Sequence, residues 1–495
     1  MENSWRNSYL KSVTWVRELQ KYDRAQIADL FGLDESCWDY EVLLTRLQKE
    51  GILRLMSSTE TEDVEECDTS PDGVFYAFTY VGLYCYHGHL VCSLPKYVTN
   101  TEFEIQETLR YQEQSPSEWL KMLTQILQVL RVYERKKVEK NLVCLDASDD
   151  SQSYLSILVT ILEDYVEYGA YRVDEHVLRE NGYGRIMWTN TINTCTPCVK
   201  ANKPVYVDVI SRHLVDDEDY FITRLHRVIV KECYDQLSRY GVLQLLELPD
   251  VDYVEENVEE LGDLPYLSYC VEQEMCNQFD SRRRYVLQLL TAYLASRNFE
   301  SAVDTVSYTF GSNCFYLVWE DVCRSTLGRD EKDKFSIVPP IWSLDEGKKA
   351  TPQPLKLDML FIEEGKAYVM DAKYYLPRCP MENQDRVIHL PGVEDITKQF
   401  LYKQAIMNKE ALRANDSPPM LTRAYNAFLM PQPTEKEEGE HVQHYASVTM
   451  PLFANERIDT YRLVPAVLYD AYIKGIECRE VRDALRRSLE LNQRY

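Results

Sequence analysis

One stretch, Lys356–Tyr375 (K-L-D-M-L-F-I-E-E-G-K-A-Y-V-M-D-A-K-Y-Y), narrows the possible folds more than any other part of the chain. Leu357–Ile362 and Ala367–Tyr375 are rich in β-branched, aromatic and other apolar residues, and Glu364-Gly365 stands between them. That pattern predicts two strands joined by a tight turn. The turn fixes the register: position 363 faces 366, so 358 faces 371. Directly opposed residues of an antiparallel pair share a face, with Cβ atoms about 4.5–5.5 Å apart. Asp358 and Asp371 are therefore expected side by side, with Lys373 two residues on and pointing the same way. Both faces of the hairpin are otherwise apolar. Leu357, Met359, Phe361, Tyr368 and Met370 lie on one, and Leu360, Ile362, Ala367 and Val369 on the other. Strands of this kind are usually covered on both sides.

Two like charges opposed in a covered sheet are unfavourable unless something neutralises them. A hard divalent cation held by carboxylate oxygens answers that need. Lys373 beside it would hold a nucleophilic water or stabilise charge developing on a phosphate. The plainer alternative is a surface hairpin with solvated charges, which the register disfavours.

The length of 495 residues predicts three or four domains, and the ordinary apolar fraction with 36 Tyr predicts a globular chain. No apolar run is long enough to span a bilayer, and no secretory start is present, so a cytoplasmic protein without membrane contact is expected. The 14 scattered cysteines suit a reducing compartment. Cys195-Thr-Pro-Cys198 lacks the second pair that a zinc ribbon needs. A net charge of −25 argues against tight binding of nucleic acid by this chain alone. Acid is concentrated in 246–263 and in Glu60–Asp68, both read as solvated segments. No Gly-x4-Gly-Lys-Ser/Thr loop occurs, which argues against NTP hydrolysis by this chain.

In chain order, residues 1–57 read as helical. Arg24–Leu33, a turn, Trp38–Gln48 and then Ile52–Leu55 make a winged-helix pattern, fitting either a DNA reader or a docking domain. Val74–Val98 reads as strands with a turn at His87-Gly88, and Thr101–Lys140 as a long helix. That helix ends in Arg131, Arg135, Lys136, Lys137 and Lys140, either a phosphate contact or a solvated helix end. Ser151–Leu178 reads as helix, Tyr206–Ile210 as strand and Asp219–Leu245 as helix, with His213 and His226 structural. Arg282-Arg283-Arg284 opens a further helix, poised to meet DNA or neighbouring carboxylates. Phe315–Leu327 predicts a helix with Glu320 on an apolar face, either a further metal ligand or half of an i,i+4 pair with Arg324. In the helix Asp395–Lys409, Gln399 and Tyr402 share a face, flanked by Lys398 and Lys403. Tyr425–Met430 and Tyr445–Leu452 read as strands, and Glu477–Leu491 as a terminal helix.

This order, a helix with Glu320, a strand with Asp358, a strand with Asp371-Ala-Lys373, a helix with Gln399 and Tyr402, then a strand, resembles the PD-(D/E)xK nuclease core. Leu357 stands where many members have proline. The resemblance implies Mg²⁺, one ion or two, held by Asp358, Asp371 and the Ala372 carbonyl, with Glu320 as a secondary ligand. It also implies Gln399 and Tyr402 lining the site, as in RecB-like nucleases. A narrower set of residues is similar to the LlaJI-type restriction endonucleases over most of 75–480. It comprises Gly182-Tyr-Gly-Arg-Ile-Met-Trp188 with Thr191-Ile192, the strand Tyr206–Ile210, Leu225-His226, Phe315–Glu320 and the Asp358/Asp371/Lys373 set. That resemblance implies a type II-like or McrBC-like restriction subunit cutting double-stranded DNA in anti-phage defence, with a separate McrB-like AAA+ GTPase as partner. The alternatives are a non-catalytic DNA- or partner-binding scaffold in a defence complex, and a RecB-like exonuclease or repair nuclease.

The expected fold is therefore an α+β multidomain chain ending in an α/β PD-(D/E)xK core, a mixed central sheet flanked by helices. The expected domains are 1–60, helical and winged-helix-like; 70–150, small and β-rich with a helix; 151–305, mainly helical; and 306–495, the nuclease domain.

Overall fold

The computed structural model describes residues 13–57, 74–86, 89–98, 116–143, 154–172, 174–182, 185–200, 203–216, 220–239, 243, 246, 248–251, 255–300, 307–327, 335–339, 341–343, 349–350, 357–377, 389–408, 412–414, 421–434, 440–453 and 456–493. The chain divides into two compact units, one of Met1–Lys137 with Ser307–Tyr495 and one of Val138–Val306.

The first unit opens with β1 (Val13–Arg17) and β2 (Lys21–Tyr22), then α1 (Arg24–Leu30), α2 (Trp38–Lys49), β3 (Leu53–Ser57), β4 (Val74–Phe78), β5 (Val81–Tyr86), β6 (His89–Leu94) and α3 (Pro116–Val143). Helix, turn, helix and strand follow in the expected order, but residues 13–22 are strands rather than helix. Their partners are distant: Val13 pairs with Leu90, and Lys21 with Ala77. Periodicity within a short segment carries no sign of such pairing. The acidic run Glu60–Asp68 and the turn at His87-Gly88 lie outside the described residues, although Tyr86 pairs with His89 as a hairpin requires.

The second unit holds α4 (Tyr154–Tyr168), β7 (Asp174–Glu180), β8 (Arg185–Ile186), α5 (Trp188–Thr194), β9 (Cys198–Lys200), β10 (Lys203–Val205), β11 (Ile210–Asp216), α6 (Phe221–Arg239), α7 (Val258–Leu261), α8 (Leu264–Asn277) and α9 (Ser281–Glu300). Two expectations change here. The helix expected to Leu178 stops at Tyr168, where Gly169 takes φ 79°, and Asp174–Glu180 pairs with β11 instead. The strand expected at Tyr206–Ile210 is a link, and pairing starts at Ile210. Arg282 of the basic triplet lies 2.9 Å from the buried Asp164, so the carboxylate alternative describes it. His226 is structural: it is buried, and its Nδ1 accepts the Tyr171 N–H at 2.8 Å. Burial pushes its pKa down to about 3.

The first unit resumes with β12 (Ser307–Ser312), α10 (Phe315–Thr326), β13 (Phe335–Ile337), β14 (Trp342–Ser343), β15 (Lys349–Ala350), β16 (Met359–Glu363), β17 (Lys366–Ala372), α11 (Val393–Met407), β18 (Leu412–Ala414), β19 (Arg423–Pro431), β20 (Val442–Thr449), β21 (Arg457–Leu463), α12 (Pro465–Ile473) and α13 (Arg479–Asn492). β12 completes the sheet β1-β6-β5-β12. Residues expected in three separate domains therefore share one sheet. Lys136 of the basic helix end pairs with Asp321 at 3.0 Å, an internal contact.

A mixed five-stranded sheet, β16-β17-β19-β21-β20, carries the hairpin. Met359 pairs with Met370 and Glu363 with Lys366, the register expected from the turn. Glu364 and Gly365 take φ 51° and 72°, the paired left-handed conformations of a type I′ turn. Both faces are covered. Leu360, Ala367 and Val369 pack with Tyr402 and Ile406 of α11. On the other face Tyr368 stacks on Phe361 and Tyr425, and its hydroxyl donates to Glu490 of α13 at 2.5 Å. Leu357 joins the α11 face rather than the face of Met359, since ladder pairing begins only at Met359.

Trp319 of α10 is fully buried, and its indole N–H donates to Leu429 O at 3.2 Å. Leu429 is the β19 residue paired with Ala372, so the indole braces the strand end that carries the acidic pair. Trp319→Ala is expected to cost roughly 3–5 kcal/mol in denaturant unfolding; a loss below about 1 kcal/mol would show that the indole does not anchor this edge.

Candidate functional site

The site forms where β17 ends and α11 crosses the sheet. Asp371 is 2% exposed. Its Oδ2 lies 3.0 Å from Lys373 Nζ, while its Oδ1 is buried without a hydrogen-bond partner among the described residues. The Asp358 carboxyl stands against it within hydrogen-bonding reach. Two carboxylates offer no donor to each other, so the contact needs a proton or a cation between them. Burial first, then Asp358, pushes Asp371 up to about 8, against the pull of Lys373.

Lys373 is held from two sides, 3.0 Å from Asp371 and 2.9 Å from Asp395 Oδ1. These carboxylates hold it above the ordinary lysine range despite the opposing effect of burial. An ammonium has three donors, and two are thus engaged. Its backbone N–H donates to Leu429 O at 2.8 Å, which fixes the residue to β19.

Gln399 is fully buried. Its Nε2 donates to Val369 O at 3.1 Å and to Ala427 O at 3.4 Å, bridging β17 and β19 and pinning α11 across the sheet. Tyr402 is buried one turn further on, and its hydroxyl is hydrogen-bonded to Lys398. Burial raises the Tyr402 pKa, and Tyr402 holds Lys398 up against the opposing effect of burial; Asp358 and Asp371 add to both shifts, which puts the two side chains within electrostatic reach of the acidic pair. Glu320 lies 3.9 Å from Arg324, the i,i+4 pair that the spacing allows. Among the described residues no three His, Cys, Asp or Glu side chains converge as a metal-holding group. The structure thus brings together Asp358, Asp371, Lys373 and Tyr402, with Ala372 at the strand end.

Of the residues at the site, Asp395 is not singled out by sequence reasoning, and Lys398 is noted there only as flanking Gln399 and Tyr402. Their signal is positional: Asp395, Lys398 and Tyr402 stand at i, i+3 and i+7, one stripe of a helix. Charges at the start of a helix are so common that the stripe stands out only once α11 is seen over Asp371.

Comparison with known proteins places the chain among restriction endonucleases. The family model described as LlaJI restriction endonuclease matches residues 80–460, and the chain belongs to that family. The type II restriction enzyme BsuMI component YdjA of Bacillus subtilis (strain 168) is 24% identical over 430 residues, covering 85% of this chain and 81% of that protein. Among solved structures, a chain of a half-complex of Thermococcus gammatolerans McrB AAA+ hexamers with bound McrC aligns with 94% of this chain and 99% of its own length, at 12% identity and TM-score 0.39. A chain of the McrBC complex from the same organism aligns with 59% of this chain and 86% of its own length, at 16% identity and TM-score 0.22. No helix among the described residues is long and apolar enough to cross a membrane.

The raised pKa of Asp371 has a consequence for stability. The folded protein keeps this proton up to about pH 8, whereas an unfolded aspartate loses it near pH 3.9. This contribution is therefore fully present below about pH 4 and is lost as pH rises towards 8. Asp371→Asn removes the titration. Its melting temperature relative to wild type is expected to climb between pH 5 and pH 8 without divalent cation, and parallel pH profiles would contradict the buried pair.

Proposed function

We propose that this chain is the DNA-cleaving subunit of a restriction system used in anti-phage defence, an Mg²⁺-dependent phosphodiesterase with a PD-(D/E)xK core. One observation carries the reading: Asp371 is buried against Asp358, has one oxygen without a donor, and has Lys373 on the other. The family match and the restriction-enzyme relative support it.

The donor set fits magnesium. Mg²⁺ is commonly bound through one or two carboxylates, with water and substrate phosphate completing its shell, rather than by an all-protein cage. The paired carboxylates of Asp358 and Asp371 match that habit. Asp358, Asp371 and the Ala372 carbonyl would hold one ion or two, with Glu320 as a secondary ligand. When bound, Mg²⁺ supplies Lewis-acid stabilisation of phosphate charge and lowers the pKa of coordinated water.

The chain's own groups do the rest. Asp371 and Asp395 fix the Lys373 ammonium, and its remaining donor is free to orient the attacking water. The same charge then faces the phosphate as negative charge develops there. Gln399 acts at a distance from the chemistry by holding α11 on the strand that bears Asp371. Tyr402 borders the pair through Lys398.

Double-stranded DNA is the proposed substrate and a McrB-like AAA+ GTPase the proposed partner. The sequence has no nucleotide-binding phosphate loop, and its net charge of −25 weakens any unaided hold on DNA. The Bacillus relative, by its name, is one component of a restriction enzyme.

Asp371→Ala is expected to abolish Mg²⁺-dependent DNA cleavage, and Lys373→Ala to lower it by roughly 10²–10³-fold or more, with circular dichroism spectra unchanged. Cells carrying the full system with Asp371→Ala should lose protection against phage. If protection is intact, the chain acts as a scaffold and the nuclease reading fails.

A further inference from the structure

Lys373 and Lys398 approach the acidic pair from different elements, and their surroundings differ. Lys373 has 16% side-chain exposure and carboxylates at 3.0 and 2.9 Å. Its charge is neutralised within the protein. Lys398 is exposed at the surface of α11. Its ammonium is hydrogen-bonded to the Tyr402 hydroxyl and lies 5.7 Å from the centre of that ring. Asp358 and Asp371 are near enough to be felt, yet among the described residues no carboxylate lies within ion-pair distance of Lys398.

We propose that Lys398 is the phosphate-binding cation of this site, contacting a non-bridging oxygen of the DNA backbone, with Tyr402 orienting its ammonium. The proposal rests on the nuclease reading above and divides labour between the two lysines. A lysine with two donors on carboxylates has one left for the water and for charge developing at the reacting phosphorus, and none to grip the backbone of incoming DNA. A compact, exposed ammonium held by one neutral hydroxyl suits phosphate. Its position is set from the next residue, because Gln399 ties the backbone of α11 to Val369, two residues before Asp371 on β17. Once the acidic pair is neutralised by a cation, its pull on Lys398 no longer opposes that of the phosphate.

The test compares wild type, Lys398→Met and Lys398→Arg in the complete restriction complex. Plasmid cleavage in Mg²⁺ gives kcat and KM, and binding of the same DNA in Ca²⁺ is followed across a salt series. Lys398→Met is expected to lower kcat/KM by roughly 10²-fold and to reduce the salt slope of binding by about 1. Lys398→Arg should stay within about tenfold of wild type, since a cation is retained. Melting temperatures should agree, because the side chain is exposed. Wild-type cutting by Lys398→Met overturns the proposal, as does loss of cutting with an unchanged salt slope or without rescue by arginine. A wild-type complex that fails to cut in Mg²⁺ removes the nuclease reading itself, whereas active wild type beside an unaffected Lys398→Met removes only this role.

Discussion

The contact between Asp358 and Asp371 is the constraint to which the rest of the site answers. A buried carboxylate without full hydrogen bonding is costly. Asp371 is buried on a covered sheet, with one oxygen lacking a donor and a second carboxyl against it. Lys373 offsets part of that charge, but Asp395 shares the same ammonium. Three carboxylates thus face Lys373 and the more distant Lys398. Burial, and then the neighbouring Asp358, push Asp371 up to about 8. A proton and a divalent cation are alternative answers to one electrostatic deficit, and only the cation supports phosphodiester chemistry.

The surrounding scaffold keeps that deficit in place. Trp319 braces Leu429 from one side of the sheet, and Gln399 clamps Val369 and Ala427 from the other. The segment after Lys373 is held as well. The Tyr374 hydroxyl donates to Glu18 at 2.6 Å, Lys96 stands over the Tyr374 ring at 4.8 Å, and Arg462 donates to Pro377 O at 2.8 Å. Residues near the start of the chain therefore fix the exit from the strand bearing Asp371 and Lys373. These contacts lie within the unit formed by Met1–Lys137 and Ser307–Tyr495.

The turn and register of the hairpin are legible in the sequence because their information is local, whereas the face taken by Leu357, beyond the ladder, is not. A turn pair at Glu364-Gly365 sets a register, and a register sets which side chains are opposed. The same logic fails for β1, whose parallel partner lies more than seventy residues away. It fails for β7, where Asp174–Glu180 continues a helical pattern yet pairs with β11. It half-fails for Gln399, which is visible as part of a helix stripe, but whose role as a buried clamp on two strands depends on carbonyls no pattern displays. Asp395 is legible only as part of a charged helix start, and Lys398 only as a neighbour of Gln399 and Tyr402. Their meaning comes from the angle at which α11 crosses β17.

Charge sets the last constraint on how such a site meets DNA. A protein binds the duplex in proportion to the phosphates it neutralises, and this chain carries 80 acidic against 55 basic residues. Several of its cations are internally committed: Lys136 to Asp321, Arg282 to Asp164, and Lys373 to Asp371 and Asp395. On the proposed reading, a partner that holds such a site at the duplex would raise its effective concentration there without any new contact. If the chain is the cleavage subunit proposed above, its acidity makes encounter with DNA depend on whatever delivers it.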